Sequence, residues 1–176
     1  APRNSAIYAR DGVMVVALAW VLLSAFGALP FFISGAIPHY VDAFFETVSG
    51  FTTTGSTILV DIEAMPMGML FWRSFTHWVG GMHLMRAEVP GPTVGKLVPR
   101  MRSTAKILYG LYLALTAAEV VFLVLGGMPF LDAVLASFST AGTGGFCIKN
   151  ASIAFYNSAY IDGVITVFMI LFGINF

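Results

Sequence analysis

Residues 42–57, DAFFETVSGFTTTGST, decide the fold, because their second half suits neither a membrane helix nor a soluble active site. Residues 51–57 (FTTTGST) offer carbonyl and hydroxyl oxygens and carry no side chain that titrates near neutral pH. Non-helical backbone is tolerated at membrane depth only where it lines a water-filled path or is buried in protein. What these oxygens can do therefore depends on whether the surrounding chain lies in a membrane.

The composition is that of an integral membrane protein. Of the 176 residues 58% are hydrophobic and 10% are charged, with a mean hydropathy of +0.86, whereas a soluble domain carries roughly 25% charged residues. The formal net charge of +0 indicates no nucleic-acid partner. The single cysteine, Cys147, excludes an internal disulfide framework. We expect the N-terminal apolar run to be a retained helix rather than a cleaved signal.

Four apolar stretches are candidates for crossing a bilayer, which takes about 20 residues of helix. The three stronger candidates are residues 12–29, residues 107–125 and the stretch from residue 160 to the end of the chain. The weaker candidate, residues 68–85, contains Arg73, His77 and His83 and cannot face lipid on all sides.

Basic residues indicate the orientation. Five of the nine Lys and Arg residues fall between 86 and 106, and none falls between 31 and 71. By the positive-inside rule, the N-terminus and the 86–106 loop are predicted to be cytoplasmic. The FTTTGST segment then approaches from the outer face.

The deciding stretch is repeated. DAFFETVSGFTTTGST starts at Asp42, and DAVLASFSTAGTGGFC starts at Asp132; Gly55 and Gly145 each follow their aspartate by thirteen residues. We predict a unit of span, short re-entrant helix, polar Gly/Thr strand and second span. The two aspartates are predicted to be the N-caps of the short helices.

The chemistry of the polar strands favours a weakly bound monovalent cation. Backbone carbonyls can replace the water shell of a cation, and glycine lets successive carbonyls turn to one side. The strands contain no carboxylate, which would hold a divalent ion too tightly for passage. The strands are predicted to form part of an ion selectivity filter, with coordination by the carbonyls of Thr53, Thr54, Gly55, Ser56, Thr143, Gly144, Gly145 and Phe146.

The motifs together resemble the Trk/Ktr family of potassium uptake proteins. They run in order along nearly the whole chain: RDG at Arg10, FGALPF at Phe26, DAFFETVSGFTTTGST at Asp42, FWRSFTHWVGGM at Phe71, RAEVPGP at Arg86, PRMRSTAKILY at Pro99 and DAVLASFSTAGTGGF at Asp132. The resemblance implies an all-α integral membrane fold like that of potassium channels. In it, four non-identical span–pore helix–span repeats surround one axis, and the filter glycines map onto Gly55 and Gly145.

The resemblance also implies a function and partners. It implies a multi-pass protein of the bacterial inner membrane that takes up potassium, with K⁺ at Thr54, Gly55, Gly144 and Gly145. It further implies a homodimer with a cytosolic nucleotide-binding regulatory subunit on its inner face. No covalently bound cofactor and no enzymatic reaction are expected. Whether the protein is a symporter or a gated channel is open at this point.

Two alternatives come from other classes of protein. A membrane-embedded assembly subunit without its own pore would use the Gly/Thr strands as breaks for close helix packing. An intramembrane hydrolase would need a Ser/His/Asp or metal constellation, and none stands out. The repeated thirteen-residue interval favours the filter over the assembly subunit.

The predicted organisation is a fragment of such a protein. Residues 1–85 form a first repeat whose second span is apparently truncated, residues 86–106 a cytoplasmic basic loop, and residues 107–176 a second repeat that is incomplete at its C-terminus. Either residues are missing between Met82 and Arg86, or a short span of residues 68–85 makes the crossing.

Several single residues have more than one interpretation. Glu119 is either a functional intramembrane acid or a protonated or hydrogen-bonded glutamate at a helix–helix contact. Arg73 either guards the outer entrance, pairs with Glu46 or Asp61, or lies at the membrane interface. Cys147 either adjoins the outer mouth of the path or is a buried small hydrophobe. A metal role for His77 and His83 is not favoured.

Overall fold

The computed structural model describes residues 9–87 and 98–174, and their side chains over 12–83 and 106–174. Within these residues the chain is helical, with no β-strand. The elements are α1 (Ala9–Ile33), α2 (Tyr40–Phe51), α3 (Met67–Ala87), α4 (Val98–Leu125), α5 (Phe130–Ala141), a 3-10 helix (Ser152–Tyr156) and α6 (Ala159–Gly173).

Each predicted span is a helix. Within α1 and α4, the segments Gly12–Ile33 and Lys106–Leu125 are long and apolar enough to cross a membrane. Their 22 and 20 residues correspond to roughly 33 and 30 Å of helix, about the thickness of a hydrocarbon core. Their large apolar side chains, such as Val13 at 70% exposure, lie on the outside, where lipid can solvate them. The weaker candidate is the continuous 21-residue helix α3.

Two short helices are related by a constant offset of 90 residues. Helices α2 and α5 have 12 residues each, and Tyr40 and Phe51 at the ends of α2 correspond to Phe130 and Ala141 of α5. Twelve residues span about 18 Å, which is too short to cross a bilayer. The described structure therefore contains two successive sets of a long helix, a 12-residue helix and a third helix, which has 21 residues in α3 and 15 in α6.

The predicted N-caps are wrong by three residues. His39 and Pro129, both with extended ψ, are the N-caps, and neither forms a side-chain capping bond. Asp42 and Asp132 lie inside the first helical turn, where their charge still complements the positive end of the helix dipole. The carboxylate of Asp132 instead accepts a hydrogen bond of 2.8 Å from the Tyr156 hydroxyl.

Helix α3 packs against the C-terminal ends of both short helices. A Cβ on Gly80 would overlap the carbonyl of Phe51, at the end of α2. A Cβ on Gly81 would lie 2.9 Å from Gly142 Cα and 3.0 Å from Ala141 O, at the end of α5. Two adjacent glycines thus let one helix approach both repeats.

Hydrophobic clusters join the repeats around α3. One cluster lies among α1, α2 and α3 and includes Leu135 and Ile148 of the second repeat; a second lies among α4, α5 and α6. A third cluster, around Tyr112, Ala141 and Phe172, takes in Trp78 of α3. Burial of these side chains from both repeats holds them as one unit.

The predicted division into two repeats and a basic loop stays a prediction, and the helices can be placed against it. Helices α1 to α3 fall within residues 1–85 apart from the last two residues of α3, and α5 and α6 fall within 107–176. Helix α4 begins at Val98, inside the predicted basic loop, of which residues 88–97 lie outside the described part. Whether residues are missing near Met82 stays a prediction.

Replacing Gly80 by alanine should destabilise the protein, because the new methyl group would overlap main-chain atoms of Phe51, which cannot move away as a side chain does. We expect a loss of about 1–3 kcal/mol, as for overpacking of a close contact. Thermal unfolding in detergent would measure it.

Gly110, in α4, provides the matched control, because a Cβ there meets no atom within 4 Å. Gly110→Ala should stabilise the protein by about 0.5–1 kcal/mol through helix propensity alone. Equal unfolding temperatures for the two variants would contradict the close packing of α3 on α2.

Candidate functional site

The first polar segment, residues 52–57 after α2, and the second polar segment, residues 142–147 after α5, share positive φ angles at two equivalent positions. The φ angles of Thr53 and Thr143 are 53° and 54°, and those of Gly55 and Gly145 are 76° and 84°. A threonine with positive φ is uncommon, because its branched side chain crowds the backbone. Its occurrence at both equivalent positions shows that the segments share a local fold.

Short hydrogen bonds hold the first segment against α2. The Thr54 amide donates to Ser49 O at 2.9 Å, and the Thr53 amide donates to Gly50 O at 3.0 Å. The Ser49 hydroxyl donates to Ser56 O at 2.5 Å. The carbonyl of Ser56, one of the predicted ion ligands, therefore already accepts one hydrogen bond from α2.

The second segment is held less by its own helix. The Gly142 amide donates to Phe138 O at 3.2 Å, and the Thr143 amide donates to Thr140 O at 2.9 Å. Ser139, which corresponds to Ser49, is buried, and its hydroxyl has no hydrogen-bond partner among the described residues. The hydroxyl bond that restrains the first segment has no counterpart here.

The two segments meet at two of the predicted glycines. A Cβ on Gly55 would overlap the carbonyl of Gly144, and a Cβ on Gly144 would overlap the carbonyl of Thr53. A Cβ on Gly145 would meet nothing within 4 Å. The structure thus brings Thr53, Gly55 and Gly144 together, with Gly145 beside open space.

Helix α3 forms a wall behind the second segment. The fully buried His77 ring packs on Phe146, with ring centroids 4.6 Å apart, and fills the space beside Gly142 and Gly144. Neither ring nitrogen of His77 has a hydrogen-bond partner within the described residues. Side chains at Gly142 and Gly144 would collide with this ring.

A buried ion pair inside the first repeat also contacts the second repeat. Arg73 Nε donates to Glu46 Oε1 at 2.6 Å, and the two residues are 2% and 1% exposed. Arg73 Nη1 donates to Cys147 O at 2.9 Å, and its guanidinium carbon lies 3.6 Å from the centroid of the Phe146 ring. Of the roles left open for Arg73, pairing with Glu46 is confirmed, while a guard at the outer entrance and a place at the membrane interface stay predictions.

Glu46 also accepts hydrogen bonds from the last residue of the first segment and from the residue that follows it. Its Oε1 accepts from Thr57 Oγ1 at 2.8 Å, and its Oε2 accepts from the Ile58 amide at 3.1 Å. The buried carboxylate is therefore stabilised by three donors, as a charge in an apolar interior requires.

A second, exposed contact joins the loops that follow the two segments. The Asn150 side chain donates to Asp61 Oδ1 at 2.7 Å and accepts from the Ile62 amide at 2.8 Å. The Asn150 amide donates to Glu63 Oε1 at 3.1 Å, and Lys149 Nζ lies 4.0 Å from Glu63 Oε2. The hydrogen bond from Asn150 lowers the pKa of Asp61.

Sequence reasoning underrated Glu46 and missed Asn150. Glu46 had a signal, since a carboxylate in an apolar stretch needs a partner, and Arg73 is the one Lys or Arg between residues 31 and 85. Nothing in the sequence pairs Asn150 with Asp61, because their contact depends on how two loops 89 residues apart are folded.

The remaining candidate residues, Glu119, Cys147 and His83, lie in different parts of the structure. Glu119 is fully buried in α4, with no hydrogen-bond partner for its carboxyl oxygens in the described part of the chain. The half-buried Cys147 lines a cavity of about 220 Å³ between α5 and α6. His83 contacts Trp20 edge-on, with ring centroids 6.0 Å apart. The described residues contain no group of three or more His, Cys, Asp or Glu that could hold a metal ion.

In the described part of the chain, two helices are long and apolar enough to cross a membrane, and the two 12-residue helices are each followed by polar backbone with positive φ angles. The family model of the TrkH cation transport proteins matches residues 2–89 and 82–176. The chain belongs to this family.

Relatives and a solved structure agree with this assignment. The Trk system potassium uptake protein TrkH of Salmonella typhimurium (strain LT2) is 40% identical over 188 residues, and the TrkG protein of Escherichia coli K12 is 33% identical over 187. Each alignment covers 95% of this chain and 39% of the relative. The crystal structure of the potassium transporter TrkH from Vibrio parahaemolyticus matches with a TM-score of 0.85 at 39% identity, over 96% of this chain and 37% of that one.

The chain spans about two fifths of the length of these relatives. These relatives carry the names of potassium uptake and transport proteins.

The Asn150 contact predicts a pH dependence. The folded pKa of Asp61 lies below its unfolded value, so the stability that this carboxylate contributes is present at neutral pH and is lost as the pH falls through the folded pKa. Asn150→Ala removes the largest cause of the shift. The difference in unfolding temperature between the wild type and this variant should therefore shrink on acidification.

The control is to repeat the comparison in an Asp61→Asn background, which carries no titrating group at this position. There the effect of Asn150→Ala should not change across the same pH range. An identical pH dependence in both backgrounds would contradict the assignment to Asp61.

Proposed function

We propose that the chain supplies two strands of the selectivity filter of a potassium uptake protein in the bacterial inner membrane. The observation that carries the proposal is the shared left-handed geometry of Thr53 and Gly55 with Thr143 and Gly145, in segments that meet at Gly55 and Gly144. Two unrelated packing breaks have no reason to share these angles at a constant 90-residue offset.

The coordinating atoms would be main-chain carbonyl oxygens. Left-handed residues alternating with ordinary ones rotate successive peptides, so that carbonyls freed from helix bonding can face a cation in place of water. The ligands are proposed to be the carbonyls of Thr53, Thr54, Gly55, Ser56, Thr143, Gly144, Gly145 and Phe146, with K⁺ at Thr54, Gly55, Gly144 and Gly145.

The short helices support a cation at this place. Both polar segments follow the C-terminal ends of α2 and α5, where the last carbonyls carry the negative end of the helix dipole. Neutral oxygens together with a dipole bind a monovalent ion weakly, which lets it leave again. No covalent step is required, and K⁺ is the transported ion rather than a cofactor.

A ring of ligands around an ion needs more strands than two. We propose that the remaining two strands belong to the parts of the protein that the relatives have and this chain does not span. The homodimer and the cytosolic nucleotide-binding regulatory subunit are proposed on the resemblance to the Trk/Ktr family.

Gly145→Ala, introduced into the full-length protein, tests the proposal. The substitution meets no neighbouring atom, but it places a Cβ on a backbone with φ of 84°, which costs about 1–2 kcal/mol and turns the adjacent carbonyls. We expect potassium uptake to fall and the preference for K⁺ over Na⁺ to weaken, measured in cells that lack other uptake systems.

Gly127→Ala is the matched control. Gly127 has φ of 88° and equally open surroundings, but it lies in the turn after α4. It should carry the same backbone strain and leave the ion preference unchanged. If both variants keep the wild-type preference, the segments are not ligands and the pore-free assembly subunit becomes the better description.

A further inference from the structure

The second polar segment depends on a residue of the first repeat. In the first repeat the Ser49 hydroxyl donates a hydrogen bond to the segment, but the hydroxyl of Ser139, its equivalent in α5, has no hydrogen-bond partner among the described residues. Arg73 of α3, in the first repeat, donates a hydrogen bond to the main-chain carbonyl of Cys147 in this segment. One hydrogen bond to the main chain of this segment therefore crosses the boundary between the repeats.

The second repeat has no such ion pair at the corresponding positions, counted from the first residue of each helix. Glu46 is the seventh residue of α2, and the seventh residue of α5 is Ala136. Arg73 is the seventh residue of α3, and the seventh of α6 is Ile165. Ala136 and Ile165 both line the cavity of about 220 Å³ beside Gly145. The ion pair is thus a property of one repeat and not a requirement of the repeated fold.

The guanidinium makes three contacts at once. One nitrogen is held by Glu46, another donates to Cys147 O, and the planar face covers the Phe146 ring, whose other neighbour is His77. A planar group with several fixed donors can make these contacts together, whereas a lysine ammonium is a point charge that cannot.

We propose that Arg73, held by Glu46, is a positioning residue that sets the carbonyl directions of the second segment and so determines the preference between alkali cations. The proposal rests on the proposed function. Glu46 connects the same network to the first segment through Thr57 and the Ile58 amide. One buried pair therefore fixes the relative position of both segments.

The experiment measures competition between K⁺ and Na⁺ in the full-length protein reconstituted in liposomes. Arg73→Lys keeps the charge beside Glu46 but removes the second donor and the planar face. We expect a fall in K⁺/Na⁺ preference of about tenfold, as for the loss of one hydrogen bond to a charged group. The KM for K⁺ should rise more than the maximal rate falls.

Glu46→Gln is the second variant, because it keeps oxygen and hydrogen-bonding capacity but removes the charge that holds the guanidinium. The preference should fall in the same direction. Lys149→Arg is the control: this cation also has a carboxylate partner and a ring partner, Glu63 at 4.0 Å and Phe155 at 4.5 Å, but it lies at the exposed loop contact. It should leave the preference unchanged.

The outcomes separate this proposal from the proposed function. If Gly145→Ala weakens the preference while Arg73→Lys and Glu46→Gln keep the wild-type value, the filter stands and the positioning role is overturned. If no variant changes the preference, both proposals fall. If neither charge variant accumulates as folded protein, the pair serves folding alone and the positioning role is likewise overturned.

Discussion

The contact of α3 with the C-terminal ends of both short helices is the constraint on which the rest of the described structure depends. Helices α2 and α5 are too short to be held by lipid alone, so their ends need a protein wall. Because Gly80 and Gly81 have no side chains, the main chain of α3 can approach the main chain at Phe51, Ala141 and Gly142. The polar segments can then meet each other directly beyond the helix ends.

Non-helical backbone inside an apolar protein also needs partners for its polar groups. The first segment obtains them locally, from Ser49 and the carboxylate of Glu46. The second obtains one from Arg73, a charge that is itself tolerable in this interior only because Glu46 and a carbonyl share its donors. Removing one member of such a pair costs more than the pair contributes, since the other charge remains buried. The two segments are consequently a coupled system.

Much of the architecture could be predicted from hydrophobic length and internal similarity. The apolar runs became α1, α4 and α6, and the repeat starting at Asp42 and Asp132 became two helices with matched ends. The caps could not be predicted well, because Asp is favourable both at an N-cap and in the first turn. The partners of Arg73 were narrowed to Glu46 or Asp61 but not decided, since the choice depends on the approach of α3 to α2. The contact with Cys147 and the stacking on Phe146 join residues 73 or more positions apart in the chain and left no pattern in the sequence.

The adjacent glycines of α3 make the two repeated units structurally unequal. Counted from the start of each helix, the fourteenth residue of α3 is Gly80, whereas that of α6 is Phe172, a buried aromatic packed on Tyr112. A helix with that ring could not approach a second carbonyl terminus as α3 does. The two units are therefore not interchangeable in the described structure: α3 contacts the carboxyl ends of both short helices, whereas Phe172 of α6 packs on Tyr112 of α4.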